Sequence, residues 1–182
     1  MILPIRAYGD PVLRKKCTDI DKDYEGLNEL IENMFATMKS AKGVGLAAPQ
    51  IGRPIRLFII DSTHMYDKPQ KGIKKVFINA QILEEFDEPW PYEEGCLSIP
   101  NIREDVTRLE SIKIKYLDEN FKEHIDKFDD MTARVIQHEY DHIEGVLFID
   151  KISAFKRQLI KSKLNNISKG KVDVDYKMKF PK

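Results

Sequence analysis

The most informative stretch of the sequence is His138-Glu139-Tyr140-Asp141-His142. Two histidines four residues apart lie on one face of a helix, one turn above the other, so their imidazoles can bind one cation. Glu139 is rotated by about 100° from His138, and it can reach a water molecule on the open side of that cation without being a ligand. This HExxH arrangement is typical of metal-assisted hydrolysis.

Around this motif, hydrophobic spacing and capping residues predict a helix over Met131–Ile143, with Asp129 or Asp130 at its start and Gly145 after its end. Apolar residues recur at helical spacing over Leu27–Ala41, which predicts a further helix. A last helix is predicted at about 153–168, with Phe155, Leu159, Ile160, Leu164 and Ile167 on one face. Strands are predicted at Ile55–Ile60, Val76–Asn79, Ile112–Tyr116 and Val146–Ile149. This order of elements favours an α+β fold.

Length and composition limit the class of protein. The chain has 182 residues, of which 42% are hydrophobic and 33% charged, as expected for one globular domain. We expect this domain over residues 1–168, followed by a charged tail at 169–182. Thirty basic and thirty acidic residues cancel, and no apolar run reaches the length of about 18 residues that spans a bilayer. We therefore expect neither DNA nor a membrane as a partner.

Cysteine usage and the N-terminus indicate where the protein works. Two cysteines do not make a disulfide framework, so a reducing compartment is the expected setting. The first ten residues lack the basic and then apolar pattern of a signal peptide. The sequence therefore predicts a cytoplasmic protein.

A catalytic metal needs a third protein ligand as well as an open position. No Glu or His follows Glu144, which excludes proteases that take a downstream glutamate as the third ligand. The longer motif HExxHxxGxxH fails too, because Phe148 stands at its last histidine. Only the aspartates Asp150, Asp173 and Asp175 remain downstream.

An upstream ligand is therefore expected, and Cys96 is the best candidate. Gly95 precedes it and permits a close approach of the backbone. The alternative is that Cys96 is a small buried apolar residue, as most free cysteines are. Cys17 has no possible partner nearby, and we interpret it as structural.

Three segments together resemble the peptide deformylase family. They are Gly43-Val44-Gly45-Leu46-Ala47-Ala48-Pro49-Gln50, Glu94-Gly95-Cys96-Leu97-Ser98 and His138–His142. They match the family motifs GxGLAAxQ, EGCLS and HExDH in order and at similar separations, over about Tyr8–Leu164. The resemblance implies antiparallel or mixed β-sheets wrapped around a central helix that carries HExDH. It also implies hydrolysis of the N-formyl group from the formyl-methionine of new polypeptides, with release of formate.

The resemblance further assigns roles to single residues. Cys96, His138 and His142 would bind one divalent metal, natively Fe²⁺, with Zn²⁺ or Ni²⁺ possible in purified protein. Metal-bound water would be the nucleophile and Glu139 the general base and acid. The Gln50 amide and the Leu97 N–H would contact the carbonyl oxygen, each such donor being worth roughly 3 kcal/mol in the transition state. The candidate substrate-binding residues are Gly43, Val44, Gly45, Leu46, Gly95, Arg103, Arg134 and Val135.

Arg134 departs from the family pattern, because many relatives carry an aliphatic residue one turn before the first histidine. We expect its aliphatic stem to pack and its guanidinium to reach solvent. The backbone at 43–45 is expected to let the substrate lie alongside as an added strand.

Three alternatives stay open at this point. The first is a zinc endopeptidase that uses HExxH, which an upstream Cys96 ligand would argue against. The second is a non-enzymatic module that binds nascent chains near the ribosome exit, which the intact metal-binding and catalytic residues argue against. The third concerns Lys151–Lys171, which holds seven basic residues and no acidic one. This stretch is either a solvated helix face or a docking surface for the ribosome, where phosphates would be its partners.

Overall fold

A five-stranded antiparallel sheet forms the centre of the fold in the computed structural model, which describes residues 1–182. Its strands, in spatial order, are β2 (Gly45–Ala47), β3 (Leu57–Asp61), β4 (Lys74–Cys96), β5 (Ile99–Leu117) and β6 (Glu123–Phe128). β4 and β5 make a long hairpin whose turn is Leu97-Ser98. β2 lies at one edge of the sheet, so its outer side has no neighbouring strand.

Three helices accompany the sheet: α1 (Leu27–Ser40), α2 (Asp130–Ile143) and α3 (Ala154–Ser168). All three predicted helices are thereby confirmed. α2 ends where expected, because Gly145 adopts φ +76° and a Cβ there would lie 2.6 Å from the carbonyl oxygen of Arg14. None of these helices combines the length and apolar character needed to cross a bilayer.

β3 shows how the core is divided. Side chains alternate across a strand, and Leu57 and Ile59 face one apolar cluster while Phe58 and Ile60 face another. The first cluster contains the buried face of α1, and the second contains that of α2. β3 is therefore buried on both faces over Leu57–Ile60, which explains the unbroken apolar run of these four residues. The α+β class with a sheet packed on the motif-bearing helix is confirmed.

The prediction of a strand at Val146–Ile149 is wrong. A 3₁₀ turn occupies Phe148–Lys151, and the Asp150 carboxylate accepts a hydrogen bond of 2.9 Å from the N–H of Leu147. A strand would need that N–H for its ladder. A short polar side chain that bonds to nearby backbone favours a turn over a strand.

The predicted apolar face of α3 is only partly buried. Ile160, Leu164 and Ile167 pack into a third apolar cluster, whereas Phe155 and Leu159 are 73% and 65% exposed. The side of α3 that carries Phe155 and Leu159 has no neighbouring element to cover it. The single apolar face drawn from the sequence is therefore wrong for these two residues.

Residues after α3 return to the N-terminal part of the chain. β7 (Met178–Lys179) pairs in parallel with β1 (Ile5–Arg6), with hydrogen bonds from the N–H of Ile5 and of Ala7. Val172, Met178 and Phe180 pack against the third cluster. The charged 169–182 segment thus contacts the domain that precedes it.

Candidate metal centre

Three side chains with metal-binding atoms meet where the β4–β5 hairpin turns over α2. Cys96, His138 and His142 place their ligand atoms within 4.8 Å of one another. Cys96 Sγ lies 3.3 Å from Nε2 of His142, and the two imidazole rings are 5.1 Å apart at an angle of 71°. Cys96 is the last residue of β4, and the histidines are one helical turn apart on α2. The upstream cysteine and the two histidines therefore converge, as the sequence predicts.

Glu94 orients the first of these histidines. Its Oε1 is 2.9 Å from Nδ1 of His138, which leaves Nε2 of that ring for a metal. Arg108 also donates two hydrogen bonds to Glu94, of 2.7 and 2.9 Å. Burial would raise the pKa of Glu94, but the hydrogen bonds from His138 and Arg108 outweigh it and hold that pKa well below its usual range. Glu94 is thus a buried anion.

Arg134 lies in the same buried cluster, and the expectation that its guanidinium reaches solvent is wrong. Its side chain is 3% exposed and donates to Glu94 and to the carbonyl oxygens of Val106 and Trp90, at 2.7–2.8 Å. The guanidinium also lies 4.5 Å from the centre of the Trp90 ring. Buried arginine is stable only when paired, and here a carboxylate, two carbonyls and an aromatic face provide the partners.

The donor set suits a divalent transition metal. One thiol and two imidazoles with room for a further ligand make the three-ligand pattern of a catalytic site. Burial, together with the nearby His138 and Arg108, holds the pKa of His142 well below its usual value, so its imidazole is neutral, which is the form that binds metal. Thiolate and imidazole select metals such as Fe²⁺, Zn²⁺ or Ni²⁺ over Mg²⁺ or Ca²⁺.

Cys17 provides the contrast to Cys96. It is buried in the second apolar cluster, it is not part of the cluster of three metal-binding side chains, and burial raises the pKa of its thiol to about 11. The structural interpretation of Cys17 is confirmed.

Glu139 lies beside the three candidate ligands and is not one of them. It is 4% exposed, its Oε2 has no hydrogen-bond partner, and burial raises its pKa to about 7. A Cβ on Gly45 would lie 2.5 Å from Oε1 of Glu139, so only glycine lets β2 pass this close to the carboxylate. A carboxyl group with such a pKa can both accept and donate a proton near neutral pH.

Gln50 is held over the same site by a 3₁₀ turn after β2. Its Oε1 accepts a hydrogen bond of 2.9 Å from the N–H of Ala47, which fixes the direction of the amide. Its Nε2 lies 3.2 Å from Oγ of Ser98 and 3.6 Å from Sγ of Cys96. The donor end of the amide therefore points to the metal site.

A cleft of about 300 Å³ opens over these residues. Most of the predicted site residues line it: Gly43, Val44, Gly45, Gln50, Gly95, Cys96, Leu97, Arg103, Arg134, Val135, His138 and Glu139. Leu46 does not, because its side chain is fully buried in the first apolar cluster. Arg103 lies at the rim and donates to the side chain and backbone carbonyl of Glu93 at 3.2 Å.

Sequence reasoning missed two groups of residues. The first is the apolar lining supplied by Met65, Tyr92, Ile99 and Ile102, which come from separate parts of the chain. The second is Arg108, which joins Glu94 to Asp141 through a hydrogen bond of 2.8 Å to the latter. Asp141 inside the motif was the available signal, since a carboxylate that is largely shielded from water, here 16% exposed, is stabilised by a cationic partner.

Comparisons with known proteins agree with this geometry. The chain is 59% identical to the peptide deformylase of Christiangramia forsetii, over 100% of this chain and 97% of the relative. It is 55% identical to that of Cytophaga hutchinsonii, over 100% and 98%. The solved structure of Arabidopsis thaliana peptide deformylase 1B with an inhibitor matches with a TM-score of 0.84 at 36% identity, over 92% of this chain and 91% of that one.

A further solved structure, the peptide deformylase from Legionella pneumophila, matches with a TM-score of 0.82 at 37% identity, over 93% of this chain and 96% of that one. The family model described as polypeptide deformylase matches residues 2–158. Since this model covers most of the chain and the likeness to the relatives spans its whole length, the chain belongs to the peptide deformylase family.

Proposed function

We propose a role for each of the cleft residues in the reaction of this enzyme. The reaction removes the N-formyl group from the initiator methionine of newly synthesised polypeptides. The activity itself is that of a metal-dependent amidohydrolase and follows from membership of the family. The proposal concerns which residue does what. The observation that carries it is the convergence of Cys96, His138 and His142 within 4.8 Å beside Glu139.

Cys96, His138 and His142 are proposed as the ligands of one divalent metal, Fe²⁺ in the cell and Zn²⁺ or Ni²⁺ in some preparations. When bound, such an ion lowers the pKa of water so that hydroxide is available as the nucleophile near neutral pH. Glu94 and Arg108 support the site by fixing the His138 ring. The thiol of Cys96 supports Fe²⁺ over harder ions, because sulfur is a soft donor.

Glu139 is proposed to accept the proton of the attacking water and to deliver it to the leaving amine. Its burial and its pKa of about 7 support this role, and a nearby cation would lower that pKa. Gln50 Nε2 and the Leu97 N–H are proposed to donate to the formyl oxygen as it gains negative charge. The oriented Gln50 amide supports this, because a donor already in place needs no reorganisation during the reaction.

The peptide part of the substrate is proposed to lie along β2. Gly43, Val44 and Gly45 line the cleft, and β2 is an edge strand whose outer side is free to pair. Leu46 takes part through its backbone only, since its side chain is in the core. Gly95, Val135 and the stem of Arg134 line the cleft next to the metal ligands, where the methionine side chain is proposed to bind.

Release of formate from formyl-Met-Ala-Ser under anaerobic conditions tests the assignment of the metal ligands. We expect turnover by metal-loaded protein, its loss on chelation, and iron in elemental analysis of anaerobically purified protein. Cys96→Ala should lose both metal and turnover, while Cys17→Ala should keep both. Metal retained by Cys96→Ala, or formate absent from metal-loaded wild type, would overturn the proposal.

Glu139→Gln separates the general base from the ligands. It should retain one metal per chain and lose about 100- to 10,000-fold in kcat, the usual worth of a positioned acid–base group. Loss of the metal in this variant would instead make Glu139 a ligand.

The cytoplasm is proposed as the place of action. Both cysteines are free thiols, which suits a reducing compartment.

The ribosome is proposed as the partner of α3. α3 is basic and largely exposed, and Lys161 and Lys163 point to solvent. Co-sedimentation with ribosomes should fall with salt and weaken in Lys161→Glu/Lys163→Glu. The matched control Lys22→Glu/Lys39→Glu, with equally exposed lysines outside α3, should not change it.

A further inference from the structure

The segment Asp173–Tyr176, between α3 and β7, contacts two of the residues that line the cleft, Leu97 and Lys42. Exposed and half-buried side chains alternate along it, and the chain bends at Asp175 and Tyr176. β7 holds its far end, where Ile5 and Ala7 donate to the carbonyls of Lys177 and Lys179 at 2.9 and 3.0 Å. Its path is therefore fixed by backbone pairing with the N-terminal strand.

On one side the segment is bound to the β4–β5 hairpin. Tyr176 donates its hydroxyl proton to the carbonyl oxygen of Leu97 at 2.8 Å, and its ring packs against the first apolar cluster. The side-chain amide of Asn101 donates to the carbonyl oxygen of Asp173 at 3.0 Å. Both contacts are made to residues at the hairpin end that carries Cys96.

On the other side it contacts the side chain of Lys42, in the segment that leads into β2. Asp175 forms an ion pair of 3.0 Å with Lys42, which lines the cleft immediately before Gly43. Both side chains are largely exposed, so this pair contributes little by itself. The position of this ion pair is what matters, because it shows that one short segment contacts both rims of the cleft.

The hairpin turn Leu97-Ser98 is held from three directions. Tyr176 bonds to the carbonyl of Leu97, the N–H of Tyr8 bonds to the carbonyl of Ser98 at 2.8 Å, and Gln50 bonds to the hydroxyl of Ser98 at 3.2 Å. A donor in an oxyanion site acts only if its direction is set in advance. The Leu97 N–H belongs to the Cys96–Leu97 peptide, which adjoins the Leu97–Ser98 peptide whose carbonyl Tyr176 holds.

We propose that Asp173–Tyr176 is a strap that joins two rims of the cleft and that Tyr176 is a positioning residue. By holding the Leu97–Ser98 peptide, Tyr176 restrains the adjoining Cys96–Leu97 peptide, whose N–H faces the formyl oxygen. This inference rests on the proposed role of Leu97 in the reaction. It gives the residues after α3 a part in catalysis without contact to the substrate.

Tyr176→Phe tests the strap, because it removes the hydroxyl and keeps the packed ring. We expect kcat on formyl-Met-Ala-Ser to fall roughly tenfold, less than the 100- to 1,000-fold cost of a lost oxyanion donor, with KM and metal content unchanged. Hydrogen exchange of amides at 97–101 in the metal-loaded protein should become faster, since a fixed carbonyl is released.

Asp173→Ala is the matched control, because Asp173 contacts Asn101 only through its backbone oxygen. It should leave both kcat and the exchange of 97–101 as in wild type. Asp175→Asn should change kcat by less than twofold, in keeping with an exposed ion pair.

Unchanged exchange at 97–101 in Tyr176→Phe would overturn the strap. Faster exchange with kcat within twofold of wild type would overturn the positioning role of Tyr176. Faster exchange in a chain whose metal-loaded wild type releases no formate would leave the strap standing and reject the proposed catalytic roles instead.

Discussion

α2 and α3 are helices of almost equal length, 14 and 15 residues, and both bury apolar side chains, but only α2 also buries ionisable ones. α2 buries Arg134, Glu139 and His142, whereas α3 leaves Phe155 and Leu159 exposed. Ionisable groups on α2 can be buried because the β4–β5 hairpin supplies partners, Glu94 for Arg134 and Cys96 for His142. Apolar groups on α3 are exposed because its outer side has no neighbour. Burial here depends on which partners are present, more than on the hydropathy of the residue.

The largest effect is expected from Glu94→Ala, which removes the carboxylate shared by the buried cationic side chains of α2 and β5. Arg108 and Arg134 would lose their common partner, so the free energy of unfolding should fall by about 3–5 kcal/mol. Urea unfolding in the presence of chelator measures this without a contribution from metal binding. Glu93→Ala, at an exposed neighbour, should change it by less than about 0.5 kcal/mol. Equal effects of the two variants would contradict a buried charge cluster.

On α3 the comparison is between two leucines. Leu164→Ala should lower the free energy of unfolding by about 3 kcal/mol, since it leaves a cavity in the third cluster. Leu159→Ala should change it by less than about 0.5 kcal/mol, because that side chain is 65% exposed. Chemical unfolding of both variants measures these changes in the free energy of unfolding. A cost for Leu159→Ala above 1 kcal/mol, at the scale of a buried site, would mean that this side of α3 is covered.

Arg134→Lys compares a buried arginine of α2 with Arg157, an exposed one on α3. Lysine cannot reach Glu94, Val106 and Trp90 together, so an acceptor is left unpaired and the free energy of unfolding should fall by about 2 kcal/mol. Trp90 is the sole tryptophan of the chain, and its emission should change when the guanidinium leaves its ring. Arg157→Lys should alter neither quantity, and an unchanged Trp90 emission in Arg134→Lys would contradict the stacked arrangement.

The smallest effect on the free energy of unfolding is expected from Asp150→Asn, at a residue next to the start of α3. Burial would raise its pKa, but hydrogen bonds from Arg14 and from the N–H of Leu147 outweigh it, so the pKa lies below its usual value. The stabilisation is therefore present above about pH 4, the unfolded-state value, and is lost as the pH falls through the folded-state pKa. Asp150→Asn should remove this acid dependence, at a cost of less than about 1 kcal/mol at pH 7. Thermal unfolding between pH 3 and 7 measures it, and an unchanged slope would argue against the pairing.

Much of the fold could be predicted because it depends on local spacing. Apolar residues at helical intervals predicted α1 and α2, and alternation or apolar runs predicted parts of β3, β4 and β5. The prediction of a strand at Val146–Ile149 failed because a neighbouring polar side chain competed with the apolar pattern. The carboxylate of Asp150, the next residue, accepts a hydrogen bond from the N–H of Leu147 and favours a turn, which the spacing of the apolar residues does not indicate.

By itself the sequence determined the two histidines, the glutamate between them and the cysteine that completes their set. An i, i+4 pair shares a helix face whatever surrounds it, and the lack of a downstream Glu or His left Cys96 as the best candidate. Only the tertiary structure decided that Arg134 is buried and that Tyr176 reaches Leu97. These contacts join residues 40 or more positions apart, and their direction is set by the packing of the hairpin, the helix and the returning C-terminal segment.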